Sequence, residues 1–196
     1  MKAVDDAVAA ALDGKLVVVP TDTVYGLGTR ADDPGATRRI FQAKGRSRDA
    51  DLPVFVGSID VAREVAVLEG LGERLAAAFW PGKLTIVVPR NEASRGWDLG
   101  GDGRTIGLRI PGHPLARAVT APVGALAITS ANRSGRPVCT TCDELEAAFG
   151  KDVEVYLCEA RPLPGVASTV VDATTDDLTI LREGSIGEAE IAAALG

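Results

Sequence analysis

The apolar positions of this chain fall into short runs whose spacing alternates between helical and extended. Over residues 2–12, Val4, Val8, Ala11 and Leu12 recur at i, i+4, i+7 and i+8, the stripe of an amphipathic helix. Residues 16–20 form a valine-rich run that reads as a buried strand. Pro34, preorganised for a first helical turn, opens a helix predicted to reach about residue 43, with Ile40 and Phe41 inward. A strand over 53–56 and two helices over 60–80, split near Gly70 and Gly72, come next. Strands are predicted over 84–89 and 105–110, with polar, glycine-rich chain between them. A helix over 114–121, a strand over 125–129 and a helix over 143–149 follow. Three more strands (153–157, 168–171, 178–181) and a terminal helix over 188–195 complete the pattern.

Strands and helices thus alternate for most of the length, and strands crowd the end. That order predicts an α/β fold with a twisted, mixed, open sheet flanked by helices. No 20–50-residue period and no Pro/Ser-rich linker divides the chain, so 1–196 reads as a single domain, near the scale of about 100–200 residues. With 46% apolar and 24% charged residues, disordered, collagen-like and coiled-coil classes are excluded. No run of 18 apolar residues occurs, so no membrane contact is expected. Residues 1–14 carry three acids and no basic cluster, unlike a signal peptide. Three cysteines make no disulfide framework, so free thiols and a cytoplasmic location are expected.

The net charge of −6 gives no bulk attraction to nucleic acid. It is unevenly spread: residues 30–48 hold six bases against two acids, a local +4 that leaves −10 elsewhere. Such a segment is either a solvated helix face or a local anion site. Within it, Lys44 and Arg46 lie two apart across Gly45, and in extended chain that spacing aims both cations to one side, suited to phosphates.

Several motifs were weighed against ordinary structural roles. The GxGxxA run at Gly26 lacks the strand–turn–helix context of a dinucleotide site, and Gly82-Lys83-Leu84-Thr85 lacks the upstream glycine of a P-loop. Cys139 and Cys142 form one CxxC where a structural zinc needs four ligands. His113, before Pro114, reads as a turn or helix start rather than a triad base. The residues Pro20-Thr21-Asp22-Thr23-Val24-Tyr25-Gly26-Leu27-Gly28 follow a strand and read as a hydroxyl-rich loop. Ser130 and Asn132 place neutral donors at a strand end. Arg109 interrupts an apolar strand, where a charge needs a partner, either a bound anion or an internal acid.

Taken together, the segments PTDTVYGLG, KGRS, FWPGKLTIVVPR, TIGLRIPGHP, TSANRSGRP, STVVD and LREG resemble the YrdC/TsaC family of threonylcarbamoyl-AMP synthases. The likeness runs over about 16–186, and the family's paired KxR and SxN motifs stand here as Lys44/Arg46 and Ser130/Asn132. The resemblance implies a twisted α/β fold around a basic cavity and the short, single-domain form. It implies that ATP, L-threonine and bicarbonate become threonylcarbamoyl-AMP and pyrophosphate, with Mg²⁺ accompanying ATP. The product would serve modification of adenosine 37 in tRNAs reading ANN codons through a separate transfer machinery, with tRNA or double-stranded RNA contact in some members. It implies catalytic roles for Lys44 and Arg46. ATP contacts are implied for Lys44, Arg46, Thr105, Ser130, Asn132 and Arg182, and threonine contacts for Thr23, Tyr25, Arg109 and Ser168. Arg109 would then meet an anionic ligand. Phe55 stands where some members have a histidine, Ala50 where they have an asparagine and Lys83 where a proline is common. A mobile lid is expected near 47–52. Two other readings are a carbamoyl-phosphate-dependent carbamoyltransfer module and an RNA-binding or ribosome-maturation protein.

Overall fold

The computed structural model describes residues 2–196, and among them one nine-stranded mixed sheet forms the frame. In chain order the elements are α1 (Lys2–Leu12), β1 (Val17–Val19), β2 (Gly26–Arg30), α2 (Pro34–Lys44), β3 (Val54–Val56), α3 (Ile59–Val65) and α4 (Gly70–Phe79). Then come β4 (Leu84–Pro89), β5 (Thr105–Arg109), α5 (Pro114–Val123), β6 (Ala125–Ser130), α6 (Cys142–Phe149), a 3₁₀ turn (Gly150–Asp152), β7 (Val155–Tyr156), β8 (Thr169–Asp172), β9 (Thr179–Arg182) and α7 (Glu188–Leu195). The strand order is β7-β1-β2-β6-β3-β5-β4-β8-β9. The pairs β1–β7, β3–β5 and β4–β8 are parallel and the others antiparallel. The expected mixed α/β sheet is therefore present.

Local chemistry explains the helix ends. Asp33 caps α2 by accepting from the Gly35 amide at 2.7 Å, and Pro34 takes the first helical position. His113 caps α5, its Nδ1 accepting from the Leu115 amide at 3.2 Å, the helix-start role its sequence position suggested. Thr141 and Glu144 form a capping box on α6.

One strand was not legible in the pattern. Gly26–Arg30, read as a loop, is β2, a central strand between β1 and β6. Its glycines concealed it, because Gly-rich stretches score as turns. Here the sheet itself demands glycine: a Cβ on Gly26 would overlap the Ile128 side chain, and one on Gly28 would lie 2.9 Å from the Ala127 carbonyl.

Alternation gives the sheet two different faces. Val18, Leu27, Val54, Leu108 and Ile86 point into the larger core, against Ile40 and Phe41 of α2 and Leu71 and Leu75 of α4. On the opposite face Val17, Val19, Leu126 and Ile128 pack with Ala7, Ala10 and Ala11 of α1 and Val119 of α5. Helices α1 and α5 cover only the β1–β2–β6–β3 half of that face. Over β5, β4 and β8 it lies open, and the cavity is there. No helix among the described residues is long and apolar enough to cross a membrane.

The cysteines depart from expectation. Cys142 and Cys158, sixteen residues apart, are disulfide-bonded, and only Cys139 is a free thiol. The bridge fastens the start of α6 to the segment after β7, a proximity that linear spacing could not reveal.

Candidate active site

The open half of the sheet floors a cavity of about 340 Å³. Thr85, Val87, Thr105, Gly107, Arg109, Phe55 and Val170 line it from one sheet face, joined by Ser130 and Ile128 of β6. Loops at the strand ends add Thr21, Thr23, Arg46, Asp51 and Ser168, while Arg182 enters from β9. Gly107 in mid-strand leaves the floor low; a Cβ there would stand 3.3 Å from Thr85 Cγ2.

Arg46 reaches the cavity because α2 ends sharply. Gly45 adopts φ +61°, the left-handed conformation that suits glycine, and the Arg46 amide bonds back to the Phe41 carbonyl at 3.0 Å. The Arg46 guanidinium donates to the Asp51 carbonyl at 3.0 Å, and its Nε is buried with no protein partner. Arg182 donates through Nε and Nη2 to the Ser168 carbonyl at 3.2 and 2.9 Å, and to Ser168 Oγ at 3.2 Å. Burial lowers the pKa of both, yet guanidinium stays protonated in proteins. The two are close enough that Arg46 opposes the charge of Arg182.

Arg109, 2% exposed, lines the cavity from the last position of β5. Its Nε donates to the Gly82 carbonyl at 2.7 Å, Nη1 to Thr23 Oγ1 at 3.1 Å and Nη2 to Asp22 Oδ1 at 2.5 Å. The Phe55 ring lies under it, 5.2 Å from guanidinium carbon to ring centre. Of the two partners the sequence left open, the internal acid is the one present: Asp22 neutralises Arg109 without a ligand. Burial lowers the Arg109 pKa most, and Asp22 opposes that effect. Three bonds leave two of the five guanidinium hydrogens uncommitted. Nearby hydroxyls form two separate pairs: Thr21 Oγ1 meets Thr23 Oγ1 at 2.9 Å, and Thr85 Oγ1 meets Ser168 Oγ at 2.9 Å.

Eight residues from the sequence reading converge as side chains in or beside this space, and three do not face it. Arg46, Thr105, Ser130, Arg182, Thr23, Arg109 and Ser168 line the cavity, and Phe55 is part of its wall. Lys44 does not share the direction of Arg46. It is the last residue of α2, not part of an extended stretch, and is 3% exposed. Its ammonium donates to the carbonyls of Ser130 and Asn132. Burial, aided by Arg46, pushes its pKa down to about 8. Asn132 is likewise turned inward: Oδ1 accepts from Ser130 Oγ at 2.7 Å, and Nδ2 donates to the carbonyls of Arg133 and Arg136 at 3.1 and 2.7 Å. Tyr25 is fully buried in the larger core, and its hydroxyl accepts from the Glu159 amide at 2.9 Å.

The sequence reading gives Asp22, a carboxylate of the hydroxyl-rich loop, no role of its own, and does not single out Asp51. For Asp22 the signal was the buried arginine itself, which required an acid, and Asp22 is the one carboxylate of the hydroxyl-rich loop. Asp51, the one carboxylate in the lining, has its pKa raised by burial, although Arg90 and Arg46 lower it. No three His, Cys, Asp or Glu side chains converge as a metal cluster among the described residues.

A family model for Sua5, YciO and YrdC proteins, described as "Telomere recombination", matches residues 9–184. A Mycobacterium leprae relative is 41% identical over 196 residues, covering 100% of this chain and 89% of that protein. The threonylcarbamoyl-AMP synthase of Pyrococcus abyssi is 37% identical over 186 residues, covering 94% of this chain and 54% of that protein. A crystal structure of P. abyssi Sua5 complexed with L-threonine superposes with a TM-score of 0.89 at 34% identity, covering 98% of this chain and 57% of that one. The chain thus spans little more than half the length of the P. abyssi protein. E. coli YciO shares the fold, with a TM-score of 0.87 at 23% identity over 97% of this chain and 92% of its own.

Proposed function

Because the chain belongs to the Sua5/YciO/YrdC family, we propose that it is a threonylcarbamoyl-AMP synthase, converting L-threonine, bicarbonate and ATP to threonylcarbamoyl-AMP and pyrophosphate. One observation carries the reading: a single cavity gathers Arg46 and Arg182, bonded to backbone carbonyls rather than to acids, with an Asp22-paired Arg109. That set of cations suits a substrate pair that brings phosphates and one carboxylate.

In this reading Arg46 and Arg182 take the triphosphate, and Thr105 and Ser130 hold the nucleotide. Lys44 and Asn132 act as positioning residues that fix the loop carrying Ser130. Arg109 takes the threonine carboxylate through its uncommitted hydrogens, with Thr23 and Ser168 beside it. Mg²⁺ bound to ATP supplies charge neutralisation. The threonine amine attacks bicarbonate, giving a carbamate and water. The carbamate oxygen attacks the α-phosphorus, and its bond to the bridging oxygen breaks to release pyrophosphate. No side-chain nucleophile is required, since phosphoryl transfer rests on positioning and charge stabilisation. A walled cavity would protect the labile carbamate from water. We extend the reading to supply of threonylcarbamoyl-AMP for tRNA modification in the cytoplasm by a separate transfer machinery.

The test is pyrophosphate release with ATP, Mg²⁺ and bicarbonate, with and without L-threonine. Release that depends on both threonine and bicarbonate supports the synthase. Release with carbamoyl phosphate in place of threonine points to a carbamoyltransfer module. Absence of release and of ATP binding overturns the enzyme reading in favour of RNA binding, whose affinity should fall steeply with salt.

A further inference from the structure

The arginines of the cavity differ in how their charge is balanced. Arg109 is ion-paired with Asp22 at 2.5 Å. Arg46 and Arg182 form no side-chain ion pair among the described residues and bond to backbone carbonyls and Ser168 Oγ instead. Asp51 exerts some pull on Arg46 without pairing with it. Arg46 and Arg182 therefore carry unbalanced positive charge, whereas Asp22 offsets the charge of Arg109, which also feels the repulsion of Arg182. Asp22 itself does not line the cavity, although Thr21 and Thr23 on either side of it do. It accepts from Nη2, and Thr23 accepts from Nη1, which leaves one hydrogen on each nitrogen uncommitted. A carboxylate placed there cannot itself aid binding of an anion, because it repels any that arrives.

We infer that Asp22 is a specificity-determining residue, a charge filter that lets Arg109 accept the single carboxylate of an amino acid while rejecting multiply charged phosphates. This rests on the assignment of Arg109 to the threonine carboxylate. Repulsion scales with the charge of the ligand, so Asp22 penalises a phosphate dianion about twice as much as a carboxylate. Without it, Arg109 would join Arg46 and Arg182 as a third unbalanced cation facing the triphosphate and the pyrophosphate product, and the threonine position would fill with the wrong anion. Thr23 and the Gly82 carbonyl hold the guanidinium independently, so the effect of Asp22 is on charge more than on orientation.

The experiment is calorimetric titration of L-threonine, with inorganic phosphate as competitor, into the unaltered protein and Asp22→Asn. Asparagine keeps an oxygen for Nη2 and removes the charge. In the unaltered protein, millimolar phosphate should not displace threonine. In Asp22→Asn it should compete, and the ratio of phosphate to threonine affinity should rise by about tenfold or more, as expected for one charge removed at near contact in a partly buried site. General damage would weaken both ligands and leave that ratio alone. A folded Asp22→Asn protein with an unchanged ratio overturns the filter. Phosphate that already displaces threonine from the unaltered protein also overturns it, whether or not the variant folds. If the unaltered protein binds ATP but not threonine, the amino-acid half of the proposed function falls, and the filter with it.

Discussion

The two cations of the KxR motif should respond oppositely to removal. Lys44→Met deletes an ammonium that is 3% exposed and bound to the carbonyls of Ser130 and Asn132, while keeping the length of the aliphatic stem. Hydrogen bonds from a charged donor contribute about 1.5–3 kcal/mol, and methionine recovers part of that because it costs little to bury. The net loss is about 2–3 kcal/mol, which in a chain of this length lowers Tm by about 5–10 °C. Ser130 lines the cavity, so its loosened loop should reduce kcat/KM by about tenfold or less, the scale of an indirect positioning effect. Arg46→Ala loses one bond to a backbone carbonyl and should change Tm little, yet reduce kcat/KM by about a hundredfold or more, as loss of a charge-stabilising donor does. The assays are thermal unfolding followed by circular dichroism, and steady-state pyrophosphate release. If Lys44→Met keeps the Tm of the unaltered protein but loses as much activity as Arg46→Ala, then Lys44 acts on the phosphates and the positioning role is refuted.

Three further outcomes follow from named contacts. Lys44 titrates at about 8 in the folded protein against an ordinary 10.5, so unfolding takes up a proton between those pH values. Stability relative to Lys44→Met should stay level below pH 8 and then rise by up to about 3 kcal/mol towards pH 10.5, and a gap that narrows in denaturant titrations would refute it. Tyr25→Phe removes a hydroxyl that accepts from the Glu159 amide; it should cost about 1 kcal/mol of stability in urea unfolding and leave KM for threonine within twofold. Cys142 and Cys158 close a sixteen-residue separation, so dithiothreitol should lower Tm by an amount corresponding to about 3 kcal/mol, and a Cys142→Ser/Cys158→Ser variant should not respond; a Tm indifferent to reductant in the unaltered protein would sink this.

The chain's own pattern determined the architecture and the chemical content of the site. Apolar spacing marked all seven helices and eight of the nine strands, because burial on one face imposes its period on the sequence. The family resemblance, more than any single motif, pointed to Arg46, Arg182, Thr23, Thr105, Ser130 and Ser168, because each polar strand end alone also fits an ordinary loop. Tertiary structure alone decided where those side chains point. Two-residue spacing aimed Lys44 beside Arg46 only for extended chain; the helix runs through Lys44 and the left-handed Gly45 turns Arg46 away from it. Tyr25 and Asn132 read as ligand contacts, yet fold inward to satisfy the Glu159 amide and the Arg133–Arg136 turn. β2 stayed hidden because its glycines are dictated by Ile128 and Ala127, about a hundred residues later in the chain. The partners of Arg109 and Cys142 were likewise beyond the reach of local pattern, Asp22 being 87 residues away and Cys158 sixteen. Local periodicity records which face is buried, whereas the pairing of one charge or thiol with another depends on distances that exist only once the sheet has closed.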